Sequence, residues 1–473
     1  MSDVSVLDVN GIKTTLDSAA LDALRGAMRG AVLRPGDAGY EEARRIWNAM
    51  IDRRPALIAR CEGTADVLAA VSFARRHKLR IAVRGGGHNI AGNAVCDDGL
   101  VIDLSPMRSV RVDPVAKRAV AGGGTLLGDF DHETQAFGLA APVGINSTTG
   151  LAGLTLGGGF GWLSRRFGLA VDNLIAADVV TADGKLLRAS AKENPDLFWG
   201  LRGGGGNLGI VTSFEFKLHP VGPEVTAGLI VFPLQQGKKV LEKYRAFALK
   251  MPKDLNVWVV MRKAPPLPFL PSHVHGTNVV VLALCATGEG AKADRAVARL
   301  RRFGKPVGEH VGRMPFVAWQ KAFDPLLTPG ARNYWKSHNF TELNDEVLGH
   351  LIDFAGRVPS PHCEVFVGAL GGQVNKVAAD ATAYPHRDAE FVMNVHGRWE
   401  TAAEDDRCIG WARELFRATA PSASGVYVNF MTQEETDRVR AAYGPNYDRL
   451  AKIKAKYDPK NVLCMNQNVK PAS

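Results

Sequence analysis

Three adjacent glycines at residues 85–87 follow an apolar, strand-like stretch at 79–83 and lead directly to His88. A glycine run lets the backbone turn tightly and bring its N–H groups against a ligand, which forms a concavity that binds anions. A histidine at the end of the run holds its ring beside whatever the loop binds. The combination predicts a phosphate-bearing cofactor with an imidazole at its reactive end.

The chain contains 50 glycines, and their excess is clustered at residues 85–92, 122–128, 150–161 and 203–209. Flexible linkers would spread glycine along the chain, whereas a close approach of backbone to a ligand concentrates it. The segment 144–161 alone holds seven glycines among small and hydroxyl-bearing residues. We interpret this segment as a groove for a flat heterocycle and a pyrophosphate, and a tight turn at a domain seam is the alternative.

A further glycine pattern, Gly204-x-Gly206-x-x-Gly209, matches the fingerprint of dinucleotide-binding Rossmann domains. In those domains the loop opens a helix, and the N-terminus of that helix binds the pyrophosphate. Here residues 210–217 alternate as a strand does. The context therefore argues against a nicotinamide-dependent Rossmann enzyme.

Length and composition indicate a multidomain globular protein. A chain of 473 residues is too long for one simple core, and 46% apolar with 22% charged residues is ordinary for a folded protein. The formal net charge of +10 includes no run of five basic residues. We therefore interpret the charge as a solvated surface and expect no nucleic-acid partner.

Cysteine and hydropathy patterns indicate the cellular compartment of the protein. The six cysteines form no Cys-x-x-Cys pair, which argues against a metal site and favours a reducing compartment. The sequence has neither a signal-peptide pattern nor a long apolar run, of about 18 residues or more, that could span a membrane. We expect a cytoplasmic protein without a membrane partner.

The pattern of predicted elements places the chain in the α+β class. Helical spacing marks an N-terminal segment at residues 1–54. Short strands alternate with glycine turns in a first domain at 55–222. Four β-rich runs, then a fifth followed by helices, predict a second α+β domain with an antiparallel sheet at 223–425, and residues 426–473 form a compact tail. Strand candidates lie at 79–84, 100–104, 109–113, 118–121, 176–181, 209–217, 225–232, 257–261, 278–286, 364–370 and 391–399.

Several long motifs resemble those of the berberine-bridge-enzyme-like branch of FAD-linked oxidases, bacterial type, within the vanillyl-alcohol-oxidase superfamily. The resemblance covers nearly the whole chain from about Trp47 onward. The matching segments are PALIAR at 55–60, RGGGHNIAG at 84–92, GLAGLTLGGGFG at 150–161, DLFWGLRGGGGNLG at 196–209, YDPKN at 457–461 and NQN at 466–468. The resemblance implies a two-part PCMH-type FAD-binding domain, a substrate domain laid over the flavin, and a berberine-bridge-type C-terminal segment that returns to the FAD domain.

The resemblance implies that His88 bonds covalently to the 8α-methyl carbon of the flavin. A neutral imidazole is a good nucleophile, and the oxidised isoalloxazine is electron-poor at that methyl group. A loop histidine beside non-covalent FAD is the alternative. Many members carry a cysteine, linked to the flavin C6 atom, at the position of Asn146. Asparagine cannot form that bond, so we predict a single attachment.

The glycine loops and the tail bind FAD in the family, and the resemblance transfers this role to matching residues. Thr149 occupies the position that in the family is associated with control of oxygen access, where valine suggests an oxidase and leucine a dehydrogenase. Threonine leaves that choice open. The predicted cofactor-binding residues are Arg84, Gly85, Gly86, Gly87, His88, Asn89, Gly92, Asn146, Thr149, Gly150, Gly153, Leu154, Gly157, Gly158, Gly159, Gly161, Trp162, Asn207, Gly209, Ile210, Val211, Tyr427, Asn429, Asn466 and Asn468.

A predicted strand supplies candidates for catalysis. Period-two alternation in the run 391–399 puts Asn394, His396 and Arg398 on one face, and the resemblance lays such a face over the flavin. His396 is a candidate general base because the pKa of histidine lies near neutral pH. The polar outer face of an antiparallel sheet is the alternative, above all for Arg398.

Tyr427-x-Asn429-Phe430 resembles the Tyr-x-Asn-Tyr/Phe signature of the family. Tyr427 is therefore a second candidate base or a residue that orients the substrate. Phe430 stands where some relatives have a second tyrosine, so a mechanism with a tyrosine pair is in doubt. Residues 334–336 recur in bacterial relatives, and a pocket wall and an ordinary core are both compatible with them.

These features predict an FAD-dependent oxidase. A substrate C–H next to an alcohol or amine would deliver hydride to flavin N5, and O₂ would reoxidise the flavin to give hydrogen peroxide. A flavin dehydrogenase with another acceptor and a flavin-binding protein without redox catalysis are the alternatives. Sugars, alkaloids and polyketides occur as substrates in the family. The sequence determines neither the substrate nor the oligomeric state.

Overall fold

The first sheet carries the glycine loop that begins after Arg84. In the computed structural model, which describes residues 3–288 and 290–473, its four strands lie in the order Val32–Leu33, Leu57–Arg60, Leu100–Asp103 and Ile81–Arg84. The last three are parallel, and helix Thr64–His77 connects Leu57–Arg60 to Ile81–Arg84. Parallel strands end at the same edge, so the loop at 85–89 leaves the sheet at its carboxyl edge.

The second sheet has five strands, and all of their pairings are antiparallel. Helices Leu127–Gln135 and Pro195–Leu201 contribute to the core that Phe214 and Phe216 anchor. The strand that starts at Ile210 follows the glycine loop at once, which confirms that a strand opens there. The order is Leu186–Ser190, Leu174–Val180, Ile210–Lys217, Arg118–Gly122 and Val110–Asp113.

The third sheet has seven antiparallel strands and belongs to the predicted second domain. Alternate residues such as Val257, Val259 and Met261 are fully buried in a core with the helices on one face. The strand order is Gly308–Pro315, Glu224–Pro233, Asn278–Ala286, Leu255–Lys263, Glu364–Ala369, Phe391–Trp399 and Arg332–Phe340. The covering helices are Gly237–Ala248, Gly290–Arg301, Asp345–Gly356 and Asp405–Thr419.

Smaller elements complete the described chain. A two-stranded sheet pairs Leu139–Ala140 with His219–Pro220, and a hairpin pairs Val4–Leu7 with Lys13–Leu16. The remaining α-helices are Ser18–Ala27, Tyr40–Arg44, Leu151–Leu156, Ser164–Phe167, Phe316–Gln320, Val439–Tyr443 and Tyr447–Tyr457.

The predicted α+β class with an antiparallel second sheet is confirmed, and the structure adds elements that the sequence patterns did not indicate. The N-terminal segment contains the hairpin and the strand Val32–Leu33 as well as helices. The strand Gly308–Pro315 lies at a sheet edge, is half-exposed and has three charged or polar side chains among its eight residues. The strand Arg332–Phe340 is largely buried although it carries several polar side chains. Neither strand has the apolar alternation that identifies strands in sequences.

The C-terminal segment packs against the core of the second sheet, where Val426, Met431 and Leu450 join Leu197 and Phe214. A fully buried pair of Lys454 and Asp458 (Nζ to Oδ2, 3.1 Å) secures it. The Lys454 ammonium also donates to the carbonyls of Asn207 at 3.0 Å and Leu463 at 2.9 Å. The pair thus holds the tail against the loop at 203–209.

We expect Lys454→Met to lower the free energy of unfolding by about 3–5 kcal/mol, because it leaves the buried Asp458 carboxylate without its cation. Lys452→Met is the matched control, since Lys452 lies on the same helix and is exposed; a change within about 0.5 kcal/mol is expected there. Urea unfolding followed by circular dichroism measures both. Equal midpoints for the two variants would contradict the role of the pair.

Candidate active site

A deep cleft opens between the glycine loops and the third sheet. The strands of that sheet form one wall, and the loops of the first two sheets form the other, with the C-terminal segment between them. Predicted residues that line the cleft are Gly85, Gly86, Gly87, His88, Asn89, Asn146, Thr149, Gly150, Gly153, Leu154, Gly209, Ile210, Val211, Asn394, His396, Tyr427, Asn429 and Asn466. The structure therefore brings together segments that lie more than 300 positions apart.

The loop at residues 85–89 presents bare backbone to the cleft. In the described chain, none of its N–H groups donates to another protein group. A Cβ on Gly86 would lie 2.3 Å from the backbone nitrogen of Gly150, so the two glycines must interlock. Gly153 and Gly206 have no protein atom within 4 Å of the Cβ position. Consecutive free N–H groups beside such open space suit a phosphate or pyrophosphate.

His88 lies at one end of this loop, with its ring stacked on Trp47 at a centroid distance of 4.9 Å. Its Nε2 atom is 2.9 Å from the hydroxyl of Thr148, and that hydroxyl is 2.7 Å from Oδ1 of Asn146. Burial, with a smaller contribution from the Arg398 guanidinium, lowers the pKa of His88 to about 3. The imidazole is therefore neutral at physiological pH.

The hydrogen bonds of Thr148 determine which ring nitrogen of His88 carries the proton. The backbone N–H of Thr148 donates to Oδ1 of Asn146 at 3.0 Å, which identifies that atom as an acceptor. The single hydroxyl proton of Thr148 then points to Asn146, so the hydroxyl oxygen accepts from His88 Nε2–H. The lone pair remains on Nδ1, whose nearest polar neighbour is the Thr149 hydroxyl at 3.5 Å.

The opposite wall contains a buried charge cluster on adjacent strands. The carboxylate of Glu364 accepts from Arg262 at 2.7 Å and lies 3.3 Å from Nδ1 of His396. Burial alone would raise the pKa of Glu364, but the Arg262 guanidinium and the hydrogen bond from His396 bring it down to about 2. Glu364 is therefore ionised and holds the proton of His396 on Nδ1.

The free nitrogen of His396 faces no partner. Its Nε2 atom is buried and makes no hydrogen bond in the described chain, and the residue lines the cleft. Burial lowers the pKa of His396, and the bond to Glu364 opposes this only in part. The ring of Trp335 packs against it edge-on at 4.5 Å. Asn394, two residues before it on the same face, also has an unpartnered Oδ1 atom.

Tyr427 has a different electrostatic character from His396. Its hydroxyl oxygen accepts from the backbone N–H of Gly159 at 3.1 Å and from Nδ2 of Asn429 at 2.9 Å. Burial raises the pKa of Tyr427 to about 12. The phenol is therefore protonated at neutral pH, and its own proton is available to an acceptor in the cleft.

Nine of the predicted cofactor-binding residues lie outside the cleft lining, and packing explains most of them. A Cβ on Gly157 would lie 2.2 Å from Oδ1 of Asn429, and one on Gly161 would lie 1.9 Å from the carbonyl oxygen of Val143. The glycines of this run therefore let other parts of the chain approach behind the wall of the cleft, and their contact with a cofactor stays a prediction. The nine residues are Arg84, Gly92, Gly157, Gly158, Gly159, Gly161, Trp162, Asn207 and Asn468.

Two of these nine have specific structural partners. Arg84 donates to the carbonyl of Ala43. Asn207 is fully buried and donates to the carbonyls of Gly204 at 2.9 Å and Gln467 at 3.1 Å. Asn207 therefore joins the loop at 203–209 to the tail and leaves no side-chain donor for a cofactor.

Sequence reasoning did not identify several residues of the cleft. Trp47, Trp258, Glu364 and Phe366 line it, but an isolated aromatic or acidic residue gives no sequence signal of its own. Residues 334–336 form part of a strand, and Trp335 is a wall residue. Among the described residues, no group of three or more His, Cys, Asp and Glu side chains is placed to hold a metal ion. No helix in the described ranges is long and apolar enough to cross a membrane.

Family models match two parts of the chain. Residues 55–190 match the FAD binding domain, and residues 426–470 match the model described as berberine and berberine like. The free N–H groups of the loop at 85–89 and the unpartnered polar atoms of Asn394, His396 and Asn466 fit a ligand with a pyrophosphate and a heterocyclic ring. The site is thus compatible with FAD.

Full-length relatives extend the match. An FAD-linked oxidoreductase of Dictyostelium discoideum is 31% identical and covers 94% of this chain and 95% of its own length. The (R)-6-hydroxynicotine oxidase of Paenarthrobacter nicotinovorans is 32% identical, with coverages of 94% and 97%. The structure of 6-hydroxy-D-nicotine oxidase from Arthrobacter nicotinovorans superimposes with a TM-score of 0.83 at 30% identity, over 94% of this chain and 98% of that one. The berberine bridge enzyme of Eschscholzia californica, 22% identical, shares the fold with a TM-score of 0.85 over 96% and 99% of the chains. The chain therefore belongs to the berberine-bridge-enzyme-like family of FAD-linked oxidoreductases.

Proposed function

We propose that this enzyme oxidises a small-molecule alcohol or amine, with His396 as the general base. Bound FAD supplies the hydride acceptor at flavin N5. The observation that supports this proposal most directly is the unpartnered Nε2 atom of His396 in the lining of the cleft. The Nδ1 atom of the same ring lies 3.3 Å from the ionised carboxylate of Glu364. Such a nitrogen can take the O–H or N–H proton while the adjacent C–H bond loses hydride.

Glu364 and Tyr427 have different roles in this proposal. Glu364 fixes the tautomer of His396 and stabilises the imidazolium that forms when the base takes a proton. Tyr427 keeps its own proton, since its pKa is raised to about 12. It therefore serves as a hydrogen-bond donor that orients the substrate heteroatom, and Asn394 provides an acceptor through Oδ1.

Anaerobic mixing tests the proposal directly. The purified flavoprotein is mixed without oxygen with a panel of alcohols, amines and sugars, and the absorbance of oxidised flavin is followed. Rapid bleaching by at least one alcohol or amine is the expected result. A flavin that no member of the panel reduces would favour the alternative, a flavin-binding protein without its own redox catalysis.

The electron acceptor requires a separate measurement. We propose that O₂ reoxidises the reduced flavin and forms hydrogen peroxide, as the oxidase names of several relatives suggest. Thr149, which lines the cleft, is a small side chain at the position discussed for oxygen access. Oxygen uptake with stoichiometric peroxide supports the oxidase. Turnover that requires an added dye acceptor would identify a dehydrogenase.

We further propose that FAD is attached covalently, and only through His88. A neutral imidazole with its lone pair on Nδ1 supports nucleophilic attachment, and the neighbouring Asn146 offers no thiol for a second bond. In this proposal Asn146 has another use, because its Oδ1 atom orients the Thr148 hydroxyl and thereby keeps the proton on Nε2 of His88.

We expect Thr148→Val to slow attachment of added FAD to apoprotein by roughly 2- to 12-fold, the ratio that corresponds to losing a hydrogen bond of ~0.5–1.5 kcal/mol. Protein-bound flavin that survives acid precipitation is measured against time. Thr149→Val is the matched control, since its hydroxyl approaches His88 only at 3.5 Å. Equal slowing in both variants would contradict the role of Thr148.

We propose a cytoplasmic location for the enzyme. All six cysteines are free thiols, which suits a reducing compartment. Fractionation of the source cells, with the enzyme expected in the cytosolic fraction, tests this.

A further inference from the structure

The inner face of the third sheet is divided into a polar and an apolar half. Glu364, Asn394 and His396 lie on the strand Glu364–Ala369 and its neighbour Phe391–Trp399. On the other side of Glu364–Ala369, the corresponding positions beyond Arg262 are apolar: Val260 lies opposite Phe366 on one neighbour and opposite Val281 on the next. The chemistry of the wall therefore changes from polar to apolar along one direction.

A second chamber lies over the apolar half and adjoins the cleft. Glu364, Phe366 and Trp258 line both spaces. The loop at 264–270 and the segment 323–327 enclose the chamber from the outside. A molecule whose reacting group lies beside His396 would reach this chamber by extending past Phe366, which lines both spaces.

The lining of this chamber offers few partners for polar groups. Apart from Arg262 and Glu364, its described residues are all apolar. Those two bind each other at 2.7 Å, and Arg262 also donates to the carbonyl of Pro361. The indole N–H groups of Trp162 and Trp258 are unpartnered donors; they can serve at most two acceptors and accept from no hydroxyl group.

We infer that this chamber binds the apolar body of the substrate, so that the enzyme takes alcohols or amines with an aromatic or aliphatic group and rejects sugars. The inference rests on the proposed function, which supplies the reacting end. A sugar would leave several buried hydroxyls without partners, and such groups are strongly rejected by apolar sites. Each methylene of an alkyl group, in contrast, gains about fourfold in affinity when it is buried.

The experiment measures binding apart from turnover. Dissociation constants are determined without oxygen on protein whose flavin has first been reduced with dithionite, so that no hydride can be transferred. The ligands are 4-methyl-, 4-ethyl-, 4-propyl- and 4-butylbenzyl alcohol and xylobiose, and binding is followed by quenching of tryptophan fluorescence and by perturbation of the reduced-flavin spectrum. The expected dissociation constant falls about fourfold per methylene, and xylobiose binds far more weakly than any of the aryl alcohols. A flat series, or xylobiose binding as tightly as 4-butylbenzyl alcohol, would overturn the inference.

Two variants locate the effect in the chamber. Ala283→Phe fills it and should flatten the series, and Leu267→Asp, on the half-buried covering loop, should weaken the longest alcohols most. Leu249→Asp is the matched control, because Leu249 is 59% exposed and lies outside the chamber. An unchanged slope in both chamber variants would assign the binding to another place.

The outcomes separate this inference from the proposed function. If the aryl alcohols bind with the expected slope but neither they nor any other alcohol or amine bleaches the flavin, the chamber is supported and the oxidase proposal is contradicted. If xylobiose bleaches the flavin and the aryl alcohols neither bind nor react, the oxidase proposal holds and the inference about the chamber is wrong.

Discussion

Replacing His88 with alanine is expected to release all flavin from the acid-precipitated protein, whereas the wild-type pellet stays yellow. The physical reason is that a covalent bond survives loss of the fold, and the loops hold FAD only while they are folded. His132→Ala is the matched control, since His132 is exposed on the helix Leu127–Gln135, and its pellet should keep the colour. The absorbance of flavin in pellet and supernatant is the measurement.

The native His88→Ala protein is expected to bind FAD without the bond. The free N–H groups at residues 85–89 and the open space beside Gly153 and Gly206 do not depend on the imidazole. Dialysis should therefore remove flavin slowly from the native variant. If the wild-type protein releases its entire flavin on precipitation, the alternative of a loop histidine beside non-covalent FAD is correct.

The pH dependence of attachment gives a second readout for His88. Because burial lowers the pKa of His88 to about 3, the imidazole is neutral, and hence nucleophilic, at every pH from about 5 to 8. The rate of attachment to apoprotein should not fall as the pH decreases from 8 to about 5. A decline centred near 6.5 would indicate an imidazole that is protonated there and would contradict the buried, neutral state.

Sequence reasoning was most successful where the backbone itself has special requirements. The run at 85–87 and the loop that begins at Gly150 line the cleft as predicted, because few other segments need so many residues without side chains. At residues 157–161 the same signal has a structural cause, because the glycines admit Asn429, Tyr384 and the chain near Val143; their binding of FAD stays a prediction. A glycine in a sequence indicates a close approach but does not identify what approaches.

The charge cluster of the opposite wall was beyond sequence reasoning for a different reason. Glu364 and Arg262 are 102 positions apart and meet only because their strands pair in register. Single charged residues within apolar runs do not indicate whether they face water or one another. His396 was identified because its own strand alternates clearly, while the carboxylate that orients it required the sheet topology.

His396→Ala is expected to reduce the rate constant of anaerobic flavin reduction by about 10²–10⁴, the usual contribution of a general base, with the flavin content unchanged. His310→Ala is the matched control, because His310 is exposed on the edge strand Gly308–Pro315 of the same sheet. Stopped-flow absorbance measures both variants with an alcohol or amine that reduces the wild type.

The pH profile distinguishes a base from a residue that merely fills space. His396 must be neutral to accept a proton, and burial lowers its pKa below the ordinary value. The wild-type rate constant should therefore be level at neutral pH and fall as the pH drops through that lowered pKa. Glu364 favours the charged form of His396, so Glu364→Gln should lower this pKa further. The acid limb of the Glu364→Gln profile should therefore move to lower pH. Its rate constant on the pH-independent plateau should also fall, because the imidazolium loses its counter-ion.

In Glu364→Gln the lowered pKa of His396 preserves activity at low pH, whereas the lowered plateau reduces the rate constant throughout. A general loss of structure would not produce this combination. Tyr427→Phe removes the donor to the substrate and also the acceptor for Gly159 N–H and Asn429 Nδ2, but it leaves the base in place. It should therefore keep the acid limb of the wild type and lose rate through weaker orientation of the substrate. If the acid limb persists in His396→Ala and disappears in Tyr427→Phe, the base is Tyr427 and the assignment of His396 is wrong. If the limb disappears in His396→Ala and shifts in Glu364→Gln, the pair acts as a base and its positioning residue.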